Sequence, residues 1–361
     1  MSAQPPAGRA PGKGHAEAPS WPNQAGPHPH GGSLAVLGER GVVVMTARLL
    51  GDVGGTNARF AWQEADGTPL RDIATLPTAD HATLADAITA YLKSLGRGAP
   101  PWCAIGIANP ISGDQIRMTN CHWAFSISQM KAALGFERLV VVNDFTALAL
   151  ALPALRPDEL RQLGGGAAVH DAPIALIGPG TGLGVSGLIP TGAPGRWAPL
   201  QGEGGHVTLA ATNEREAAVL QAVRADLGHA SAERAVSGQG LEALYAALCR
   251  LDAVAGAPAL PAAEISQRGL AGSDAQCVEA LDLFCAFLGN VAGNLALTLG
   301  AVGGVYIGGG IVPRLGDTFT RSRFRECFEA KGRFRPYLEA IPVYVISTTV
   351  SPALLGAARA L

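Results

Sequence analysis

Twice in this chain an apolar run breaks at a cluster of glycines and then resumes. The first instance is RLLGDVGG followed by TNARFAWQ, with residues 52–57 at the tip, and the second is IALIGPG followed by TGLGVSGLIP. Each reads as a strand, a glycine turn and a returning strand. One lies in each half of the chain, so together they predict an internal pseudo-repeat. The length of 361 residues agrees, because it exceeds what one hydrophobic core usually supports and favours two domains with a cleft between them.

Strand and helix signals alternate through the rest of the first half. A helical pattern at Leu84–Leu95 is followed by the strand CAIGIANP, a polar loop at Met118–Trp123, and a helix at Ser128–Leu134 for which Ser126 or Ser128 is the N-cap candidate. The run LVVVNDFTALALAL then changes from a β-branched strand to a helical pattern, placing Asn143 and Asp144 at a strand's carboxyl end, where ligands gather in open α/β sheets. Helical patterns dominate Glu214–Leu299, broken at Gly238 and at the loop Ala253–Ala263. A strand GGVYIGGGIV, a helix at Phe324–Glu329, a strand VYVIS and a helix from Pro352 complete the chain.

Bulk properties exclude several function classes. With 16% charged residues and a net charge of −2 there is no basic field for nucleic acid or an acidic membrane. The six cysteines include no C-x-x-C pair, so they read as reduced thiols of a cytoplasmic protein rather than as a zinc or redox site. Leu295–Val312 is the stretch that best mimics a membrane helix, but paired glycines split it into a buried helix and a buried strand. Residues 1–44 are rich in Pro, Gly and His and carry no signal-peptide pattern; they are expected to be a disordered extension, with Met45 as an alternative start.

The turn GDVGGTN can aim several backbone N–H groups at one point, because glycine admits close approach and positive φ. Asp52 is then placed to hold Mg²⁺ through water, and Thr56 and Asn57 to donate to phosphate oxygens. A Walker A pattern is absent. Gly182, Gly184 and Gly187 form a G-x-G-x-x-G with Glu203 about 20 residues on. The dinucleotide reading fails, because that pattern must open a helix and here a strand continues to Pro190. Gly180, Thr181 and Gly182 make better sense as a second phosphate clamp. Asn143-Asp144 has two readings, a helix N-cap or a base for an attacking hydroxyl. Glu203 and His206 have the Glu-x-x-His spacing of carboxylate-bridged metal sites, but the glycines between them forbid the necessary helix. A glycine loop carrying a carboxylate and an imidazole suits a polyhydroxylated ligand instead. Glu233 reads as a solvated helix residue or as one more acceptor.

In order, GDVGGTNARF, VVNDFTALALALP, GPGTGLG, LQGEGGHV, SAERAVSG, YIGGGIVPR and FEAKGRF resemble the bacterial glucokinase family of the actin/hexokinase superfamily, from about Met45 onward. The resemblance implies an α/β, two-domain actin-like ATPase (ribonuclease H-like) fold with an interdomain cleft. The small domain would comprise residues 45–154 plus 342–361, and the large domain 155–341. It implies ATP-dependent phosphorylation of glucose at the entry to glycolysis, with Mg²⁺, in a cytoplasmic homodimer that binds neither nucleic acid nor membrane. ATP would be gripped by Gly51, Asp52, Val53, Gly54, Gly55 and Thr56, by Gly180, Thr181 and Gly182, and near Gly309. Glucose would be held by Asn143, Asp144, Glu203, His206 and Glu233, with Asp144 as catalytic base. A kinase for another hexose and a non-catalytic sugar sensor are the alternatives; a repressor's helix-turn-helix or zinc motif is not present in the sequence.

Overall fold

The computed structural model describes residues 46–361 except Pro194 and Thr349. The extension 1–44 and the alternative start at Met45 lie outside the described residues. The first sheet begins with β1 (Arg48–Val53), β2 (Asn57–Gln63) and β3 (Arg71–Pro77), followed by α1 (Leu84–Ser94) and β4 (Trp102–Ile107). A ribbon of β5 (Gln115–Arg117) and β6 (Ala124–Ser126) leads to α2 (Ile127–Leu134) and β7 (Arg138–Asn143). The α2 N-cap is Ser126, whose hydroxyl accepts from Gln129 N–H. The strand order is β3-β2-β1-β4-β7, antiparallel as far as β1 and parallel beyond it.

Helix α3 (Asp144–Ala151) crosses to a second sheet, built from β8 (Leu160–Gln162), β9 (Ile174–Pro179), β10 (Leu183–Pro190), β11 (Trp197–Gln201), β12 (Val305–Ile307) and β13 (Val343–Ile346). Helices α4 (Glu214–Leu227), α5 (Gly238–Leu251), α6 (Ala262–Ala271) and α7 (Ala275–Leu299) lie between β11 and β12. Helices α8 (Ile311–Thr320), α9 (Phe324–Glu329) and α10 (Arg335–Ala340) precede β13, and α11 (Pro352–Arg359) follows it. The order is β11-β10-β9-β12-β13-β8. From β11 to β13 the strands repeat the order and sense of the first sheet, so the repeat suggested by the two glycine hairpins extends through the strand pairing.

Alternation along β1 divides its side chains between two cores. Leu49 and Val53 pack with Leu84, Ile88 and Tyr91 under α1, whereas Leu50 faces Leu354 and Ala357 of α11. The second and larger core joins α4, α5, α7 and α9 to β9 and β12. The two helices that leave matching sheet strands, α3 after β7 and α11 after β13, exchange sheets: α3 packs on β10 and β11 and α11 on β1 and β4. They meet at Gly356, where a Cβ would lie 1.5 Å from the Ala147 carbonyl oxygen. Only glycine allows that approach.

Two expectations change. Residues 342–361 do not all accompany the first sheet, because β13 is hydrogen-bonded between β12 and β8 and only the segment after it returns. Among the described residues, the helix long and apolar enough to span a membrane is α7, not Leu295–Val312, and most of it is buried in the second core. Leu295–Val312 is divided among the end of α7, β12 and the start of α8.

Candidate active site

Asp144 is the first residue of α3, directly after β7. Asn143 caps that helix: its Oδ1 accepts from Phe145 N–H at 2.9 Å and Thr146 N–H at 3.2 Å, and its Nδ2 donates to the Asn109 carbonyl at 3.4 Å. The capping reading and a functional one are compatible, since the cap frees Asp144 to face the cleft. Asp144 Oδ1 also accepts from Phe145 N–H at 2.9 Å. Burial pushes the Asp144 carboxyl up to about 6, with the nearby Asp52 charge adding to the rise and the Phe145 N–H opposing it. Its proton affinity therefore sits close to neutrality, where a general base is most effective.

Both glycine turns face this carboxylate. A cleft of about 590 Å³ is lined by Gly54, Gly55 and Thr56, by Gly180, Thr181 and Gly182, and by Asn143, Asp144, Glu203, Glu233 and Gly309. Asp52 lines an adjoining cavity of about 510 Å³ that also contains Asp144 and Gly309. Three expected residues stand apart. Gly51 lies within β1, where a Cβ would meet Ile105 at 3.1 Å, and Val53 is fully buried in the first core. His206 is exposed at the end of a 3-10 turn and lines neither cavity, while Glu203 at the start of that turn reaches the cleft.

The glycines work mainly through size. Gly54, Gly55, Gly180 and Gly182 all avoid the left-handed region, and only Gly309, at φ +79°, uses it. A Cβ on Gly55 would lie 2.6 Å from the Asn120 carbonyl oxygen. Thr78 braces the turn from behind, its hydroxyl donating to the Gly55 carbonyl at 2.8 Å. In the second hairpin, Gly178 and Gly184 form a slot for the Phe145 ring, which a Cβ would approach to 2.7 Å and 2.1 Å respectively. The residue beside Asp144 is thereby locked onto the second glycine hairpin.

Glu233 lies in a turn rather than in the expected helix. Its Oε2 accepts from Leu183 N–H at 2.9 Å, and its own N–H donates to the Gly205 carbonyl at 2.8 Å. The sequence reading missed several neighbours. Asn109, Thr119 and Asn120 complete the cleft wall, and Arg59 and Ser351 hold Asp52 Oδ2 at 3.3 Å and 2.7 Å. The period-two pattern of β1 already turns Asp52 toward the α11 face, but only the fold reveals that residue 351 is there.

Asp52 Oδ1 has no hydrogen-bond partner among the described residues, which leaves it available to a hydrated cation. No three acidic, histidine or cysteine side chains converge as a cage among the described residues. That donor set fits Mg²⁺, which keeps most of its waters and travels on phosphate oxygens, better than a metal that demands a protein cage.

Opposed glycine hairpins on repeated sheets, with a carboxylate of near-neutral proton affinity in the cleft between them, define an actin-like phosphotransferase. The glucokinase family model matches residues 49–361. Glucokinase of Chromobacterium violaceum is 58% identical over 311 residues, covering 86% of this chain and 88% of that protein. Glucokinase of Aromatoleum aromaticum is 58% identical over 317 residues, covering 87% and 94%. The crystal structure of a glucokinase from an Antarctic psychrotroph superposes with a TM-score of 0.79 at 38% identity, covering 87% of this chain and 98% of that one. The chain belongs to the glucokinase family.

Proposed function

We propose that this protein transfers the terminal phosphoryl group of ATP to the 6-hydroxyl of glucose, with Asp144 as general base. The observation that carries this reading is the position of Asp144: it lies in one cleft with both glycine turns and carries a carboxyl raised to about 6. Glucose is chosen over other hexoses because of the family to which the chain belongs.

In this reading the N–H groups of Gly54–Thr56 and Gly180–Gly182 cradle the phosphates, and Gly309 adjoins the nucleotide. Asn143, Asp144, Glu203 and Glu233 hold the sugar hydroxyls. Asp52 would hold Mg²⁺ through water, and a cation bound there would neutralise charge on the transferring group. Asp144 orients the 6-hydroxyl for in-line attack and accepts its proton as the new O–P bond forms and the bond from the γ-phosphorus to the β,γ-bridging oxygen breaks, releasing ADP. Water is a competing nucleophile, so closure of the sheets over the sugar should exclude it before transfer. We further infer a homodimer acting in the cytoplasm, which sedimentation and fractionation would examine.

The test is formation of glucose 6-phosphate from ATP, Mg²⁺ and each of a panel of hexoses, with Asp144→Asn beside the wild type. Glucose-selective turnover that falls by about 10² to 10⁴ in the variant is expected. No phosphorylated hexose, or full activity in Asp144→Asn, would remove the reading.

A further inference from the structure

We infer that Glu233 couples the sugar site to the nucleotide site: its carboxylate holds the second glycine turn through one oxygen and leaves the other for a sugar hydroxyl. This rests on the sugar-site reading above. Three segments far apart in sequence meet at Glu233. Its Oε2 accepts from Leu183 N–H at 2.9 Å, the first amide after the Gly180–Gly182 turn. Its backbone N–H donates to the Gly205 carbonyl at 2.8 Å, in the loop that carries Glu203. Gly205 is packed so closely that a Cβ would fall 2.1 Å from the Leu183 carbonyl oxygen.

The turn has little room to move independently of this carboxylate. A Cβ on Gly182 would lie 2.4 Å from Glu233 Oε2, and Gly238 N–H donates to the Gly180 carbonyl at 2.9 Å. Glu233 Oε1 has no hydrogen-bond partner among the described residues, and Glu233 itself lines the cleft. A hydroxyl that donates to Oε1 fixes the side-chain rotamer. It thereby fixes the Leu183 amide and the turn whose N–H groups would meet phosphate. Ordering needed by the nucleotide is then already in place when the sugar is bound, which gives positive cooperativity without any further contact between the two ligands. By reciprocity the nucleotide tightens sugar binding by the same factor.

Calorimetry on the full chain provides the test, with Mg²⁺ and the non-hydrolysable analogue AMPPNP titrated without glucose and at saturating glucose. In the wild type glucose is expected to tighten AMPPNP by about 5-fold or more. Glu233→Ala should weaken glucose and reduce that ratio to near 1, even at saturating glucose. Glu233→Asp, which withdraws the carboxylate by one methylene, covers the case in which the alanine variant does not fold, and should show the same loss. Glu233→Gln retains an acceptor for Leu183 N–H and presents Nε2 to the hydroxyl, which can accept from it instead of donating, so it should retain the ratio, whereas a purely electrostatic role would lose it. Glu203→Ala should weaken glucose yet keep the ratio once glucose saturates. A preserved ratio in Glu233→Asp despite weaker glucose overturns the coupling and spares the sugar site. Unchanged glucose affinity in both variants overturns the coupling together with the sugar-site reading beneath it.

Discussion

Asp144→Asn should make the folded protein more stable at neutral pH, and by an amount the structure sets. Burial raises the Asp144 carboxyl from an ordinary 3.8 to about 6. Each tenfold change in proton affinity is worth about 1.4 kcal/mol, so keeping this carboxylate charged in the fold costs about 3 kcal/mol at pH 7 and above. Partial access to water lowers the expected gain from removing the charge to about 2 kcal/mol. The sign follows from a folded value above the unfolded one. Relative to the unfolded chain, the wild type has its full stability at this site below about 4 and loses it as the pH rises through about 6. Asparagine keeps an oxygen for the Phe145 N–H and has no charge to bury. Urea unfolding of both proteins from pH 4 to pH 8 should therefore show a variant more stable by about 2 kcal/mol at pH 7.5, with the gap closing toward pH 4. A gap that is absent, reversed or independent of pH would refute the account of Asp144 as a buried, poorly solvated base.

The remaining predictions concern catalysis and the helix crossing. Wild-type kcat/KM should fall below about pH 6 by about tenfold for each further pH step, because protonated Asp144 cannot accept the hydroxyl proton; a flat profile to pH 5 would contradict that role. Ser351→Ala removes the 2.7 Å bond to Asp52 and should raise the KM for Mg·ATP about 5- to 30-fold, with glucose KM unchanged and recovery in Ser351→Thr; equal increases in both KM values would count against it. Gly356→Ala sets a Cβ 1.5 Å from the Ala147 carbonyl and should destabilise the protein by about 3 kcal/mol or more, measurable as a lower urea midpoint. An unchanged midpoint would mean that α3 and α11 separate freely.

Much of the architecture was legible because periodicity and glycine punctuation carry it. The β1–β2 hairpin, the β7-to-α3 switch and the β9–β10 hairpin follow from where apolar runs break, and their topological equivalence follows from the same pattern. Glycine roles were less legible. Sequence suggests positive φ at the two glycine turns, whereas Gly55, Gly182 and Gly184 are required by close neighbours, Asn120, Glu233 and Phe145, that no local window contains. Short edge strands such as β8 (LRQ) and β11 (WAPLQ) are not legible because three to five residues are too few to show a period, and Pro199 reads as a break. β13 has a clear strand pattern, yet its sheet is decided by long-range pairing with Tyr306 and Arg161. Of the two readings of Glu233, the helical one rests on the helix formers of SAERAVSG, while the turn is fixed by bonds to Gly205 and Leu183.

The exchange of helices between sheets constrains how the protein is made. Leu50, Ala61 and Ala104 of the first sheet are covered by Leu354, Ala357 and Ala358 of α11. From Ile107, where β4 ends, to Pro352 is about 245 residues of synthesis, on the order of 10–50 s at ribosomal rates. During that interval a nascent chain carries a sheet whose face toward α11 is bare. Two of its three buried residues are alanines, which present little apolar surface to neighbouring chains. The small side chains that let α11 lie flat in the finished molecule also make its late arrival tolerable on the ribosome.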